Sequence, residues 1–185
     1  GMSSEAFDRL WEARFLLNLR FPDLGRLEPV MWFGIINVVE RLLGIGAMEA
    51  VRRRIDTTSH HAVAGFLLAA NAVLMASVIG FALVGHFGLA LATYWTARLA
   101  RQVNSPLYTA WVNQRIDDPQ VRATIISAAS QTDALGQIVG GPIVGAIGNL
   151  WSIKAALFAA GLILSPVLVL YRLAVRRPSA TRARR

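Results

Sequence analysis

Residues 62–97 contain no Asp, Glu, Lys or Arg. An α-helix rises about 1.5 Å per residue, so about 20 apolar residues cross the roughly 30 Å hydrocarbon core of a bilayer. This one interval is long enough for two crossings. A second interval, residues 123–153, carries Asp133 as its single formal charge. A soluble domain of this size carries about 25% charged residues and needs them to cover its wet surface. Here 16% of the residues are charged and 55% are hydrophobic. Wholly buried helices in a soluble core would need a larger protein around them. The expected fold class is therefore all-α, a polytopic transmembrane helix bundle.

The pattern resolves into an opening segment and five spans. Residues 4–21 are amphipathic: Phe7, Leu10, Trp11 and Phe15 share a helical face, and Glu5, Asp8, Arg9, Glu12 and Arg14 cover much of the rest. Ser4 is the expected N-cap and Glu5 suits the positive end of the helix. This segment is too charged to span. It is expected to lie in the interface, or to be the outer end of a span whose apolar part is missing. Pro22, Gly25 and Pro29 make an irregular connection to spans at 30–51, 62–84, 89–111, 119–150 and 155–173. Asp118-Pro119 marks the start of the fourth span, as an N-cap followed by proline at the first helical position. Pro106 and Pro142 are expected to bend the third and fourth. The chain divides into an interfacial segment (1–29), a membrane bundle (30–177) and a basic tail (178–185).

Net charge is +8, which could suggest nucleic acid. The arginines, however, stand at the ends of apolar runs, the pattern that orients membrane proteins. Five spans place Arg52, Arg53, Arg54, Arg115, Arg122, Arg172, Arg176, Arg177, Arg182, Arg184 and Arg185 on one side. Arg9, Arg14, Arg20, Arg26 and Lys154 fall on the other. The first side is expected to be cytoplasmic, with the C-terminus inside the plasma (cytoplasmic) membrane, a lipid partner and no nucleic acid. Gly1 to Glu5 lacks the basic and apolar regions of a cleavable signal peptide.

Enzymatic chemistry finds no support. With no cysteine there is no thiolate site or disulfide framework. His60 and His61 sit beside three arginines in a polar loop with no carboxylate or thiolate at ligand spacing, so no metal is expected there. His86 belongs to the turn Gly85-His86-Phe87-Gly88 and is read as interfacial. No nucleophile triad, phosphate-cradling loop or HExxH is present, and no cofactor is expected.

The chemistry of interest is ionic and lies inside the spans. A charge there is costly and normally faces a bundle interior or a wet cavity. Glu40, Arg41, Arg98, Arg101 and Asp133 are the candidates for coupling or substrate contact, and Asn71, Tyr94, Trp95 and Gln137 for lining a path. Glu40 and Arg41 point about 100° apart, so each is expected to find its partner on another helix. The alternative is a set of inter-helix ion pairs that only fix packing. In the fourth span Ser130, Asp133 and Gln137 share a face that continues into Gly141, Gly145 and Gly148. Gly136 with Gly140, and Gly141 with Gly145, have the four-residue spacing that lets helices approach closely, and Pro142 lies among them.

These residues carry a family resemblance. Arg122-Ala123-Thr124-Ile125-Ile126-Ser127, leading into the run from Ala134-Leu135-Gly136-Gln137 to Gly140-Gly141-Pro142-Ile143-Val144-Gly145, is similar to the eleventh helix of major facilitator superfamily transporters. Ser105-Pro106-Leu107-Tyr108-Thr109-Ala110-Trp111-Val112-Asn113 resembles the tenth, and Ser4-Glu5-Ala6-Phe7-Asp8-Arg9-Leu10 the outer end of the seventh. Gly46-Ala47-Met48-Glu49 into Arg52-Arg53-Arg54 stands where that family has its cytoplasmic loop signature. The glycine-proline run also resembles the signature of drug-proton antiporters, which in that family belongs to the fifth helix.

The resemblance implies the C-terminal half of a twelve-helix secondary transporter, in which two pseudo-symmetric halves hold a solute between them at mid-membrane. It implies as partners a missing N-terminal six-helix half, a small-molecule substrate and protons. A non-transporting membrane scaffold and a half-size transporter acting as a dimer are the alternatives.

Overall fold

The computed structural model describes residues 1–22, 28–54, 60–116 and 118–176, without the side chains of residues 60, 61, 114 and 115. The basic tail, the polar loop before His60 and most of the Pro22–Pro29 connection lie outside the described residues. Seven helices follow in order: α1 (Met2–Asn18), α2 (Pro29–Arg54), α3 (His60–Leu83), α4 (Phe87–Arg115), α5 (Pro119–Leu150), α6 (Ile153–Leu162) and α7 (Ser165–Arg176). No strand occurs among the described residues.

Three stretches are long and apolar enough to cross a membrane: Pro29–Arg54, Ala62–Leu83 and Ile153–Arg176. They coincide with the first, second and fifth expected spans. The helices α4 and α5 are longer, at 29 and 32 residues, but hold no stretch that is long and apolar enough by the same measure. Arg98, Arg101, Gln102 and Asn104 interrupt α4, and Gln131, Thr132, Asp133 and Gln137 interrupt α5.

The element ends have local causes. Asp118 accepts a hydrogen bond from the Gln120 N–H (2.8 Å), and Pro119 opens α5 as its sequence position predicts. Ser152 caps α6 in the same way through the Ala155 N–H (3.0 Å). Ser4 is not the N-cap of α1. The helix starts at Met2, and the Gly1 carbonyl accepts from the Glu5 N–H (2.9 Å), leaving Ser4 inside the first turn.

The fifth span is not one helix. It breaks at Ile163 and Leu164, ahead of Pro166, which has no N–H to donate and whose ring crowds the preceding turn. The Leu164 N–H turns back to the Gly161 carbonyl (3.1 Å). By contrast, α4 and α5 run unbroken through Pro106 and Pro142.

The bundle is organised around α3, which packs on α4, α6 and α7, while α2 packs on α4 and α5 on α6. Close approach is made by small residues. A methyl group on Gly161 of α6 would come within 2.6 Å of Ile79 Cγ1 on α3. Short α1 packs against α5 and α6, and its aromatic stripe reaches inward to α3 and α4. Phe7 stacks on Tyr94 (5.6 Å between centroids), and Trp11 stacks on Tyr94 from α1's next turn (4.7 Å). Phe15 meets Phe81 at 5.4 Å and Phe87 at 5.5 Å. The expected apolar face of α1 is thus its packed face. Arg14 departs from expectation: read as part of the polar face, it is fully buried on this stripe.

Candidate functional site

The helix that brings Tyr94 into the aromatic core brings Arg98 one turn further and Arg101 nearly one turn beyond that. The three residues lie along one side of α4, near its middle. Each arginine finds acids on other helices. Arg98 donates from Nε to Glu40 Oε1 on α2 (2.9 Å) and from Nη1 to Asp8 Oδ1 on α1 (2.8 Å). Arg101 grips Asp8 with both ends of its fork, Nη1 to Oδ1 and Nη2 to Oδ2, each at 2.9 Å. The Tyr94 hydroxyl donates to Glu40 Oε2 (3.3 Å). Trp95 donates its indole N–H to the Ile36 carbonyl (3.1 Å), tying α4 to α2 one turn above Glu40.

The result is one connected network of two acids, two arginines and a tyrosine on three helices. Charge is balanced inside it, as a low-dielectric setting requires. Its two acids are unequal in exposure: the Glu40 side chain is 13% exposed and that of Asp8 is 40%. Glu40 fixes Arg98 from within, and Asp8 covers both arginines from outside.

The remaining sequence candidates fall elsewhere. Arg41 is exposed on α2 and has no ion pair among the described residues. Asp133 does not join the arginines. It is 54% exposed and accepts from the Gln137 side chain (2.8 Å). Asn71 does not line an open path. It is buried between α3 and α4, bonded to the Leu67 carbonyl (2.8 Å) and to Asn104 Oδ1 (3.4 Å). Tyr94, fully buried among aromatic rings, meets the network only through its hydroxyl.

The glycine stripe splits. Gly136 and Gly140 form the contact with α1, where added methyl groups would meet Met2 at 3.1 Å and 2.7 Å. A methyl group added at Gly141 would meet the Arg9 guanidinium at 3.7 Å, whereas Gly145 and Gly148 face open space and are not part of the seam. Ser130, Asp133 and Gln137 stay on one exposed face of α5, and Leu135 and Val139 are exposed on the opposite one.

Two charged residues of the opening segment, Asp8 and Arg14, bond inward to other helices, which the reading of the polar face did not anticipate. Asp8 stands at i−3 and i−7 from Trp11 and Phe15, and Arg14 at i+7 from Phe7 and i+3 from Trp11. Those offsets place both on or beside the inward stripe. Arg14 donates from Nη2 to the Val84 carbonyl (2.6 Å) and the Ala82 carbonyl (3.3 Å), capping the end of α3. Its Nε and Nη1 have no partner among the described residues.

Among the described residues no group of His, Cys, Asp and Glu is arranged to hold a metal. The chain matches no protein-family profile, no curated protein and no solved structure.

Proposed function

We propose that this chain is part of a secondary active transporter of the major facilitator type, in which α2 to α5 and the α6–α7 pair are five membrane spans. It works with a further helical half, and the Asp8–Arg101–Arg98–Glu40–Tyr94 network serves the solute or the coupling proton. The observation that carries this reading is the network itself. Glu40, Arg98 and Arg101 stand near the middle of α2 and α4, where they meet Asp8 of the charged helix α1, and Asp8 remains 40% exposed. Charges at that depth are costly unless a wet cavity or a partner uses them. The α5 stripe supports it independently. Ser130, Asp133 and Gln137 are exposed on one side of a helix whose opposite side, at Leu135 and Val139, is exposed and apolar. A bilayer suits the second side and not the first; the stripe borders the Gly136 and Gly140 contact with α1, and water or a further helix covers the rest.

The test is solute-driven proton flux into proteoliposomes, measured for the protein expressed from its intact gene. Arg98→Gln should leave insertion intact and abolish flux. Normal flux in a correctly inserted Arg98→Gln protein would overturn the reading.

One observation favours a second reading. The network is charge-neutral, and each acid is already bonded to an arginine, as in an ion-pair cluster that only locks α1, α2 and α4 together in a membrane scaffold. Both readings expect Arg98→Gln to lower stability; under the scaffold reading no solute-driven flux is found even in the wild type.

A further inference from the structure

We propose that Arg98 and Arg101 form a receptor for the carboxylate of an anionic solute, and that Asp8 is a resident carboxylate which the solute displaces. This rests on the transport reading above and adds the substrate's chemical class to it. The first support is that the arginine pair already holds a carboxylate in a receptor geometry. Arg101 binds both oxygens of Asp8 in a planar fork at 2.9 Å each, and Arg98 adds a third donor at 2.8 Å. Guanidinium forks match carboxylates in this bidentate way, which an ammonium point charge cannot do.

The second support is the difference between the two acids. Glu40 is 13% exposed and is held by Arg98 Nε (2.9 Å) and the Tyr94 hydroxyl (3.3 Å), so it belongs to the frame. Asp8 is 40% exposed, and the arginine side chains beneath it are 30% and 27% exposed, so this side of the cluster is open to approach.

The charge balance then selects the sign of the solute. Moving Asp8 aside leaves two guanidiniums against one glutamate, a net single positive charge that a monoanion neutralises. A cationic solute would have to displace an arginine instead, and both arginines are more deeply set than Asp8. No acid is left over to receive it, because Asp8 and Glu40 are both committed to guanidiniums.

The experiment is equilibrium binding of radiolabelled benzoate to the purified full chain in detergent, with benzyltrimethylammonium as the cationic probe of matched size. Wild type should bind benzoate saturably and ignore the cation. Asp8→Asn should bind benzoate about tenfold more tightly, as expected when a resident that occupies the site about nine-tenths of the time is removed. Arg101→Gln should lose binding, and Arg101→Lys should weaken it while keeping the charge. Each variant is compared at matched helix content and elution volume, and the wild-type measurement stands even where a variant fails to fold. Absence of saturable benzoate binding in folded wild type, or preference for the cation, would overturn the proposal. Benzoate binding without any solute-driven flux would overturn the transport reading and leave this one standing. Flux of a cationic solute with no benzoate binding would do the reverse.

Discussion

Glu40 and Arg98 provide the sharpest energetic test of the network, because each can be neutralised with little change of shape. Glu40→Gln removes the carboxylate from Arg98 Nε and from the Tyr94 hydroxyl. Breaking a buried ion pair from one side costs about 3–5 kcal/mol when the surviving charge has no other partner. Arg98 does have one, Asp8 at 2.8 Å, and its side chain is 30% exposed. The cost of Glu40→Gln is therefore placed below that range, at about 2 kcal/mol. Arg98→Gln is worse. It leaves the Glu40 anion, only 13% exposed, with a single neutral donor at 3.3 Å. About 3–5 kcal/mol is expected there.

The double variant leaves neither charge stranded, so it should fall about 2 kcal/mol short of the sum of the singles. The assay is reversible unfolding in mixed micelles followed by tryptophan fluorescence. Trp11, stacked on Tyr94 at 4.7 Å, reports on the core beside the network. Additivity within about 0.5 kcal/mol would mean that Glu40 and Arg98 do not share an interaction, and the site as described would be refuted.

Three further outcomes follow from packing and capping. Gly161→Ala places a methyl 2.6 Å from Ile79 Cγ1 and should destabilise the α3–α6 contact by about 1–3 kcal/mol, with Ile79→Ala restoring most of it in the same unfolding assay. Gly145→Ala, with nothing within 4 Å of the added carbon, should be neutral or stabilising by up to about 1 kcal/mol from helix propensity alone. Asp118→Ala removes the cap on the Gln120 N–H and should cost about 1 kcal/mol, seen as faster hydrogen exchange in the first turn of α5 without change in α3.

What the sequence made legible was set by local physics. An uncharged apolar run gave α3 almost to its ends, a run broken only by Glu40, Arg41 and Glu49 gave α2, and Asp118-Pro119 gave the first residue of α5, because capping depends on two adjacent residues. Pro166 in the last apolar run marks the break between α6 and α7, whereas length and hydropathy alone predict one continuous span. The charges on α2 and α4 were recognisable by depth, and Glu40 was expected to look to another helix for a partner.

That partner could not be chosen from the sequence. Arg98 lies 58 residues from Glu40 and 90 from Asp8, and only the folded arrangement of α1, α2 and α4 brings them together. Asp8 and Arg14 were obscured for another reason. In a segment with many charges, the inward stripe and the solvated face differ by small angular offsets, and Arg14 falls on the inward side. Asp133 shows the opposite case: a lone acid in an apolar stretch looked central, yet it lies on the exposed side of α5.

The central claim is that α5 carries a wet face inside a membrane. Because the chain has no cysteine, single cysteines can be introduced and read individually with a membrane-impermeant thiol reagent on the protein in liposomes. Ser130→Cys and Gln137→Cys should react, whereas Leu135→Cys and Val139→Cys, on the opposite and equally exposed side, should be protected by lipid. Equal reaction at all four positions, or protection of all four, would contradict a transport path along this helix.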